Sequence, residues 1–276
     1  VALVYVNGEL LAPEDALISV FDHGLVVGDG AFETILLRRG RAFALTRHLD
    51  RLQRSAAGLG LGPVDVDAVG RAVEAVVASA EFGLGRIRVT FTAGPGPLGS
   101  ARSEGPASVV VAASPDDGEE THAAVAVVPW SRNERGALSG LKTTSYAENA
   151  LALHYAHERD ADEAIFANTQ DNLCEGTGSN VFVVRDGVLL TPPLGAGCLA
   201  GITRALVLER HGGVETDLPI GDFGPGGIEE AFLTSTLRGV QPIATIDGQA
   251  LGAVPGPVTE KARAVYDRIL SDEIDP

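Results

Sequence analysis

Short apolar runs of strand length alternate with stretches of helical period along this 276-residue chain. One polar, turn-forming run, Ser114-Pro115-Asp116-Asp117-Gly118-Glu119-Glu120, interrupts the alternation. A chain of this kind folds as an α+β protein in two parts, placed here at residues 1–114 and 121–276 with 115–120 as the linker. A hydrophobic content of 45% is ample for two cores. No apolar run reaches the roughly 18 residues of a membrane helix, and the strand-like start Val1 to Gly8 lacks a basic leader region, so a soluble, cytoplasmic protein is expected. A net charge of −16 disfavours nucleic acid and anionic membranes as partners. Two cysteines, Cys174 and Cys198, suggest neither a metal cluster nor a secreted disulfide framework.

In the first part, strands are expected at 3–7, 31–37 and, after a turn at Arg39-Gly40, 41–45. Thr46 then caps a helix whose Leu49, Leu52, Ala56 and Leu59 share one face until Gly58, Gly60, Gly62 and Pro63 break it. A second helix spans 67–82, and strands 86–92 and 108–113 flank a Gly/Pro loop at 94–105. In the second part, strands are expected at 123–129, 163–167, 180–184, 188–191 and 230–234, with hairpin turns at Asp186-Gly187 and Asp247-Gly248. Helices are expected at 146–159, behind a Ser145/Glu148 capping box, at 202–211 and at 258–272.

Only two residues are lysine, against 19 arginines. Lys261 falls on the polar face of the last helix. Lys142, in Gly140-Leu141-Lys142-Thr143-Thr144, stands at a loop-to-helix entrance, where an amine partly withdrawn from water can form a Schiff base and a guanidinium cannot. Gly195-Ala196-Gly197-Cys198-Leu199-Ala200-Gly201 leads into the helix opening Ile202-Thr203, whose N–H groups and Thr203 hydroxyl suit a phosphate dianion; Thr234-Ser235-Thr236 is a second candidate. Glu175, in a small-residue turn ahead of an apolar strand, can face a heterocyclic nitrogen. Two nucleotide motifs fail: Leu141 stands where a P-loop needs glycine before Lys142, and neither glycine loop has the spacing and setting of a dinucleotide site. His154 and His157 lack partners in sequence for a metal.

Taken in order, these residues resemble the class IV, fold type IV, pyridoxal-phosphate (PLP) enzymes: D-amino-acid transaminases, branched-chain transaminases and aminodeoxychorismate lyases. The likeness spans Val6-Asn7-Gly8, Asp22-His23-Gly24, Gly28-Asp29-Gly30-Ala31-Phe32-Glu33-Thr34, Arg47-His48-Leu49-Asp50-Arg51-Leu52, Lys142 with Tyr146 and Asn149, Glu175-Gly176 to Phe182, and Gly201 to Arg204 with Thr234 to Thr236. The resemblance implies a small N-terminal α/β domain and a larger β-barrel-like domain with flanking helices. It also implies that Lys142 holds PLP and shuttles the proton, that Glu175 pairs with the pyridine nitrogen, and that Arg51, Ile202, Thr203 and Thr236 hold the phosphate, with Leu199 and Ser235 beside them. Without the resemblance Arg51, beside Arg47 and Arg54, reads as solvated. The family is dimeric with active sites at the domain interface, so a homodimer is expected.

Substrate recognition departs from the D-amino-acid transaminase pattern. Phe32 stands in place of a tyrosine, and the 94–105 loop lacks the Arg-x-His pair that grips the carboxylate. Arg88 is the expected replacement, since Arg86, Arg88, Thr90 and Thr92 share one strand face; Arg132 and Arg135 are further candidates for an anionic substrate. The leading expectation is amino transfer between a D-amino acid and a 2-oxo acid. The second is a 4-amino-4-deoxychorismate lyase releasing pyruvate and 4-aminobenzoate, and a third is a catalytically idle scaffold.

Overall fold

The computed structural model describes residues 2–116, 118 and 121–276. Packing divides the chain into two compact units, one made of Val1–Gly118, Leu141–Tyr146 and Glu273–Pro276, the other of Glu119–Gly140 and Ala147–Asp272. The expected linker falls partly on residues 117, 119 and 120, which lie outside the described residues. A single cut there would assign Lys142 to the second part. By contacts its segment packs with the first, because Thr143 forms a β-bridge with Ala31.

The first unit holds β1 (Val4–Val6), β2 (Glu9–Leu11), α1 (His23–Val26), β3 (Gly30–Arg38), β4 (Arg41–Ala42), α2 (Leu45–Gly58), α3 (Val66–Ser79), β5 (Leu84–Thr92) and β6 (Ser108–Pro115). Its sheet runs β2-β1-β6-β5-β3-β4, each pair antiparallel. Side chains alternate across β3, so Ala31, Glu33, Ile35 and Leu37 fall on one face and Phe32, Thr34 and Leu36 on the other. The first face joins Ile87, Val89 and Phe91 of β5 in a core with Leu52 and Ala56 of α2 and Val69, Val73 and Val76 of α3. Across the β3–β5 register Thr34 lies opposite Arg88 and Phe32 opposite Thr90, which puts Arg86, Arg88 and Thr90 on the face away from that core.

The second unit holds β7 (Ala123–Arg132), α4 (Ala147–His157), β8 (Glu163–Asn168), β9 (Leu173–Gly176), β10 (Asn180–Arg185), β11 (Val188–Thr191), α5 (Ile202–Arg210), β12 (Val214–Glu215), β13 (Glu230–Ser235), β14 (Gly239–Ile246), β15 (Gln249–Ala250) and α6 (Pro257–Asp272). Its nine strands follow the order β12-β11-β10-β13-β14-β7-β8-β9, with β15 on β14. The strands β8, β10 and β13 are buried almost throughout, as expected for a sheet covered on both faces. One face packs Val125, Ile165, Val181, Leu233 and Ile243 together; Ala152 and Ala156 of α4 meet Ala126, Ala164 and Phe166 on the other. Together the two units form the α+β, two-domain fold expected from the strand and helix pattern.

The hairpin turns Arg39-Gly40, Asp186-Gly187 and Asp247-Gly248 all adopt positive φ at both positions, as the tight two-residue turn requires. Several local expectations need correction. The strand at 41–45 is only β4, because α2 starts at Leu45 with Ala44 as its N-cap in the left-handed region. Thr46 is not that cap: its hydroxyl and N–H both go to the Asp275 carboxylate. The capping box also does not form. Ser145 donates its hydroxyl to the Gly28 carbonyl, and the Glu148 carboxylate pairs with Arg132. Glu175 lies on strand β9, opposite Phe166, and the small-residue turn follows it at 177–179. The strand β14 escaped the sequence reading because Gly239 and Pro242 break its apolar pattern.

Candidate functional site

In the first unit the candidate residues gather around Lys142. Its backbone is pinned on both sides: its carbonyl accepts the Phe32 N–H at 2.9 Å and its own N–H goes to Ser55 Oγ at 3.1 Å. Thr144 continues the attachment, its N–H bonding to the Gly30 carbonyl at 2.8 Å. Lys142 is half-buried, its Nζ 4.3 Å from the centroid of the Phe32 ring and 5.9 Å from that of Tyr146. The two rings meet edge to face at 5.2 Å. Arg88 lays its guanidinium over the same Phe32 ring at 3.3 Å and donates Nε–H to Thr90 Oγ1 at 3.3 Å. One aromatic side chain therefore carries a fixed cation and an amine.

Beneath the sheet, α2 turns His48, Arg51, Leu52, Ser55 and Ala56 inward. Arg51 is buried, with Nε and Nη2 donating to the two oxygens of Glu33 at 2.8 and 2.7 Å, and His48 Nδ1 donates to Glu33 Oε2 at 2.7 Å. Burial by itself would raise the Glu33 carboxyl, but the charge and hydrogen bonds of Arg51 and the bond from His48 outweigh it and bring it down to about 2. His48 is pushed below its ordinary value, first by burial and then by the positive charges of Arg51 and Lys142 against the raising pull of Glu33. The solvated reading of Arg51 thus fails, because it sits on the stripe of α2 that faces the core. Glu33 and His48 were not singled out from sequence as site residues. The available signal was a carboxylate at an inward strand position together with a histidine and arginine at inward helix positions.

In the second unit Glu175 accepts the Leu199 N–H at 2.8 Å through Oε2, and its Oε1 lies 3.4 Å from Arg132 Nε. Arg132 also bonds Asn149 Oδ1 at 3.2 Å, pairs with Glu148 and lies over the Phe166 ring at 4.1 Å. It is engaged by carboxylates, whereas the side chain of Arg135 is 82% exposed with Glu134 3.8 Å away. The expected glycine loop does lead into α5, and Gly201 is its N-cap without any side-chain cap. The first-turn N–H groups, at Ile202 and Thr203, have no intrahelical acceptor. Both residues are buried. Only Gly197 in this loop needs positive φ, at 100°; Gly201 is needed for space, since a Cβ there would stand 1.9 Å from Asn180 Oδ1. Asn180 in turn donates Nδ2–H to the Leu199 carbonyl at 2.9 Å. Ser235 and Thr236 close the strand β13 in a turn where Ser235 Oγ accepts the Arg238 N–H at 3.1 Å. His154 and His157 are exposed on α4.

The family model described as amino-transferase class IV matches residues 30–246. A D-alanine aminotransferase from Listeria monocytogenes is 31% identical over 95% of this chain and 94% of its own length. A branched-chain-amino-acid aminotransferase from Pseudomonas aeruginosa is 32% identical over 99% and 94%. Among solved structures, a hypothetical aminotransferase from Mycobacterium tuberculosis in a PLP-bound form superposes with a TM-score of 0.85 at 28% identity, covering 99% of this chain and 100% of that one. The donor sets found here suit PLP, which needs an amine, a carboxylate and an anion cradle. The first unit carries such an amine at Lys142; the second carries a carboxylate at Glu175 and, at the start of α5, a glycine N-cap where any side chain at Gly201 would collide with Asn180. With the family match extending over most of the sequence and the fold shared throughout, the chain belongs to the class IV amino-transferases, and PLP is its cofactor.

Proposed function

We propose that this chain moves an amino group between a D-amino acid and a 2-oxo acid, with Arg88 as the group that takes the substrate carboxylate. The observation that carries the reading is the placement of the Arg88 guanidinium and the Lys142 amine against one ring, at 3.3 and 4.3 Å from the Phe32 centroid. A carboxylate bonded by Arg88 leaves the rest of a small amino acid close to Lys142. Similarity to a D-alanine aminotransferase supports the D series; similarity to a branched-chain enzyme is of the same size, so substrate handedness is what the experiment reads.

PLP, when bound, supplies an electron sink that makes the amino-acid Cα–H acidic. Lys142 would hold the cofactor and carry the proton away from Cα. Glu175 pairs with the ring nitrogen, its direction set by the Leu199 N–H and Arg132. Arg51, Ile202, Thr203 and Thr236 hold the phosphate, with Leu199 and Ser235 beside them. Phe32 is the floor on which Arg88 lies. Arg132, paired with Glu148 and Glu175, orients the latter. Arg135, exposed on the loop ahead of Lys142, is the further candidate for an anionic substrate.

The reading includes a homodimer, for which the exposed Leu17, Val20 and Leu25 offer apolar area; a monomeric mass by light scattering would count against it. The free thiols Cys174 and Cys198 suit a reducing, cytoplasmic setting. The test is a single-turnover reaction of PLP-loaded protein with D-alanine, D-glutamate or L-leucine. Stoichiometric pyridoxamine phosphate with the D-amino acids alone supports the reading. Turnover of L-leucine alone sinks it, and pyruvate release from aminodeoxychorismate with no reaction towards amino acids replaces it with the lyase. Arg88→Ala should raise KM for the keto acid roughly 10- to 100-fold, the worth of a charged hydrogen-bonded contact, and unchanged kinetics remove Arg88 from its role.

A further inference from the structure

The buried carboxylate of Glu33 is the one acidic side chain on the core face of β3, among Ala31, Ile35 and Leu37. It is 1% exposed, as is His48, and Arg51 is 5% exposed. A charge placed at such a position is retained for a reason other than solubility. Its bonds show what it organises. Arg51 is gripped side-on through Nε and Nη2, a bidentate contact that fixes the plane of the guanidinium and with it the direction of its remaining N–H donors. Glu33 Oε2 is shared with His48, whose Nδ1 must carry the proton because the carboxylate can only accept. His48 and Arg51 lie three apart on α2, so one carboxylate ties two consecutive inward positions of that helix to the strand whose next residue towards the chain start is Phe32.

We infer that Glu33 and His48 are positioning residues for cofactor phosphate: Glu33 orients the Arg51 guanidinium in its plane, and His48 holds the Glu33 carboxylate in place to do so. This rests on the reading of Arg51 as a phosphate ligand. The inference opposes what bare charge counting expects. Glu33 cancels the charge of Arg51, so removing the carboxylate's charge should tighten the hold on a dianion if net charge governs; if orientation governs, it loosens.

The experiment strips the protein of cofactor and measures binding of PLP and of pyridoxal, which lacks the phosphate, by equilibrium dialysis in the native protein and in Glu33→Gln, Glu33→Asp, His48→Gln and Arg51→Gln. A merely structural role weakens both probes alike. Orientation of a phosphate ligand weakens PLP selectively: the ratio of PLP to pyridoxal affinity should fall about tenfold or more in Glu33→Gln and in Arg51→Gln, and by less in His48→Gln. An Arg51→Gln ratio equal to the native one overturns the phosphate reading itself. A reduced ratio in Arg51→Gln with an unchanged or increased ratio in Glu33→Gln overturns the positioning inference alone. Should Glu33→Gln not fold, Glu33→Asp decides by the same ratio, since it keeps the charge and shortens the reach.

Discussion

Replacing Gly201 by alanine should destabilise the protein by about 1–3 kcal/mol, the usual range for forcing atoms into a packed site. Its backbone, at φ −68° and ψ 137°, is open to any residue, so the objection to a side chain is one of space. A Cβ would lie 1.9 Å from Asn180 Oδ1 and 3.4 Å from Arg204 Cβ. The first distance is far inside the roughly 3.5 Å at which non-bonded heavy atoms rest. Asn180 cannot simply turn aside. It is 5% exposed, and its Nδ2 bonds the Leu199 carbonyl, while the Leu199 N–H bonds Glu175. Relief of the clash therefore gives up a buried hydrogen bond and disturbs the residue that orients Glu175. For a chain of this length the loss corresponds to a fall in Tm of about 2–5 °C, read by calorimetry on the cofactor-free protein and repeated as a urea midpoint. Two controls isolate the cause. Gly195→Ala, with nothing within 4 Å of its Cβ, should stay within about 0.5 kcal/mol of the native protein. Gly201→Ser supplies a better helix cap than glycine or alanine yet carries the same Cβ. If serine matches or exceeds the native stability, or if Gly201→Ala behaves as Gly195→Ala does, the steric reasoning is refuted.

Acid sensitivity offers a second check. Because the folded Glu33 carboxyl lies near 2, below its ordinary 4.5, its contribution is complete above the ordinary value and fades as pH falls towards 2. His48, depressed below 6.5 by burial, acts in the same sense: it favours folding above 6.5 and loses that contribution under acid. The stability gap between native protein and Glu33→Gln should accordingly narrow between about pH 4.5 and 2; a gap independent of pH would contradict the assigned ion pair. Arg102→Ala should free the 94–105 loop, since that side chain binds Asp29 through two nitrogens and the Leu59 and Gly60 carbonyls at 2.8 and 2.9 Å. Faster amide exchange confined to that loop is the expected readout, and unchanged exchange removes the anchor. Glu163→Ala should lower stability by roughly 2–5 kcal/mol, because the buried carboxylate accepts the Thr177 N–H and hydroxyl, the Ser179 hydroxyl and the Ala164 N–H. A urea midpoint within error of the native value would show that those donors find other partners.

Much of the fold could be read from local pattern. Short apolar, β-rich runs marked β3, β5, β6 and β10, and helical spacing marked α2 and α6, because the residues that define each of these elements are near in sequence. Turn pairs such as Asp186-Gly187 were legible for a similar reason, the left-handed backbone being tolerated by few residues. The caps were not. Thr46 and Ser145 have the right chemistry to cap helices, yet one is taken by Asp275, more than 200 residues away in sequence, and the other by the Gly28 carbonyl. A hydroxyl has few lone pairs and one proton, and a distant acceptor brought close by folding competes with the local one on equal terms.

By itself the sequence determined the α+β class and the glycine loop that leads into the start of α5, both of them local consequences of spacing and residue chemistry. Only the tertiary structure decided which charges meet. It buried Arg51 against Glu33 and His48 where the helix surface alone suggested water, engaged Arg132 with Glu175 and Glu148 where an anionic substrate was expected, and laid Arg88 on Phe32. Charge pairing depends on approach to within a few ångströms between residues far apart in the chain, and its strength depends on how much water the surrounding packing removes. Neither distance nor burial is a property of sequence position.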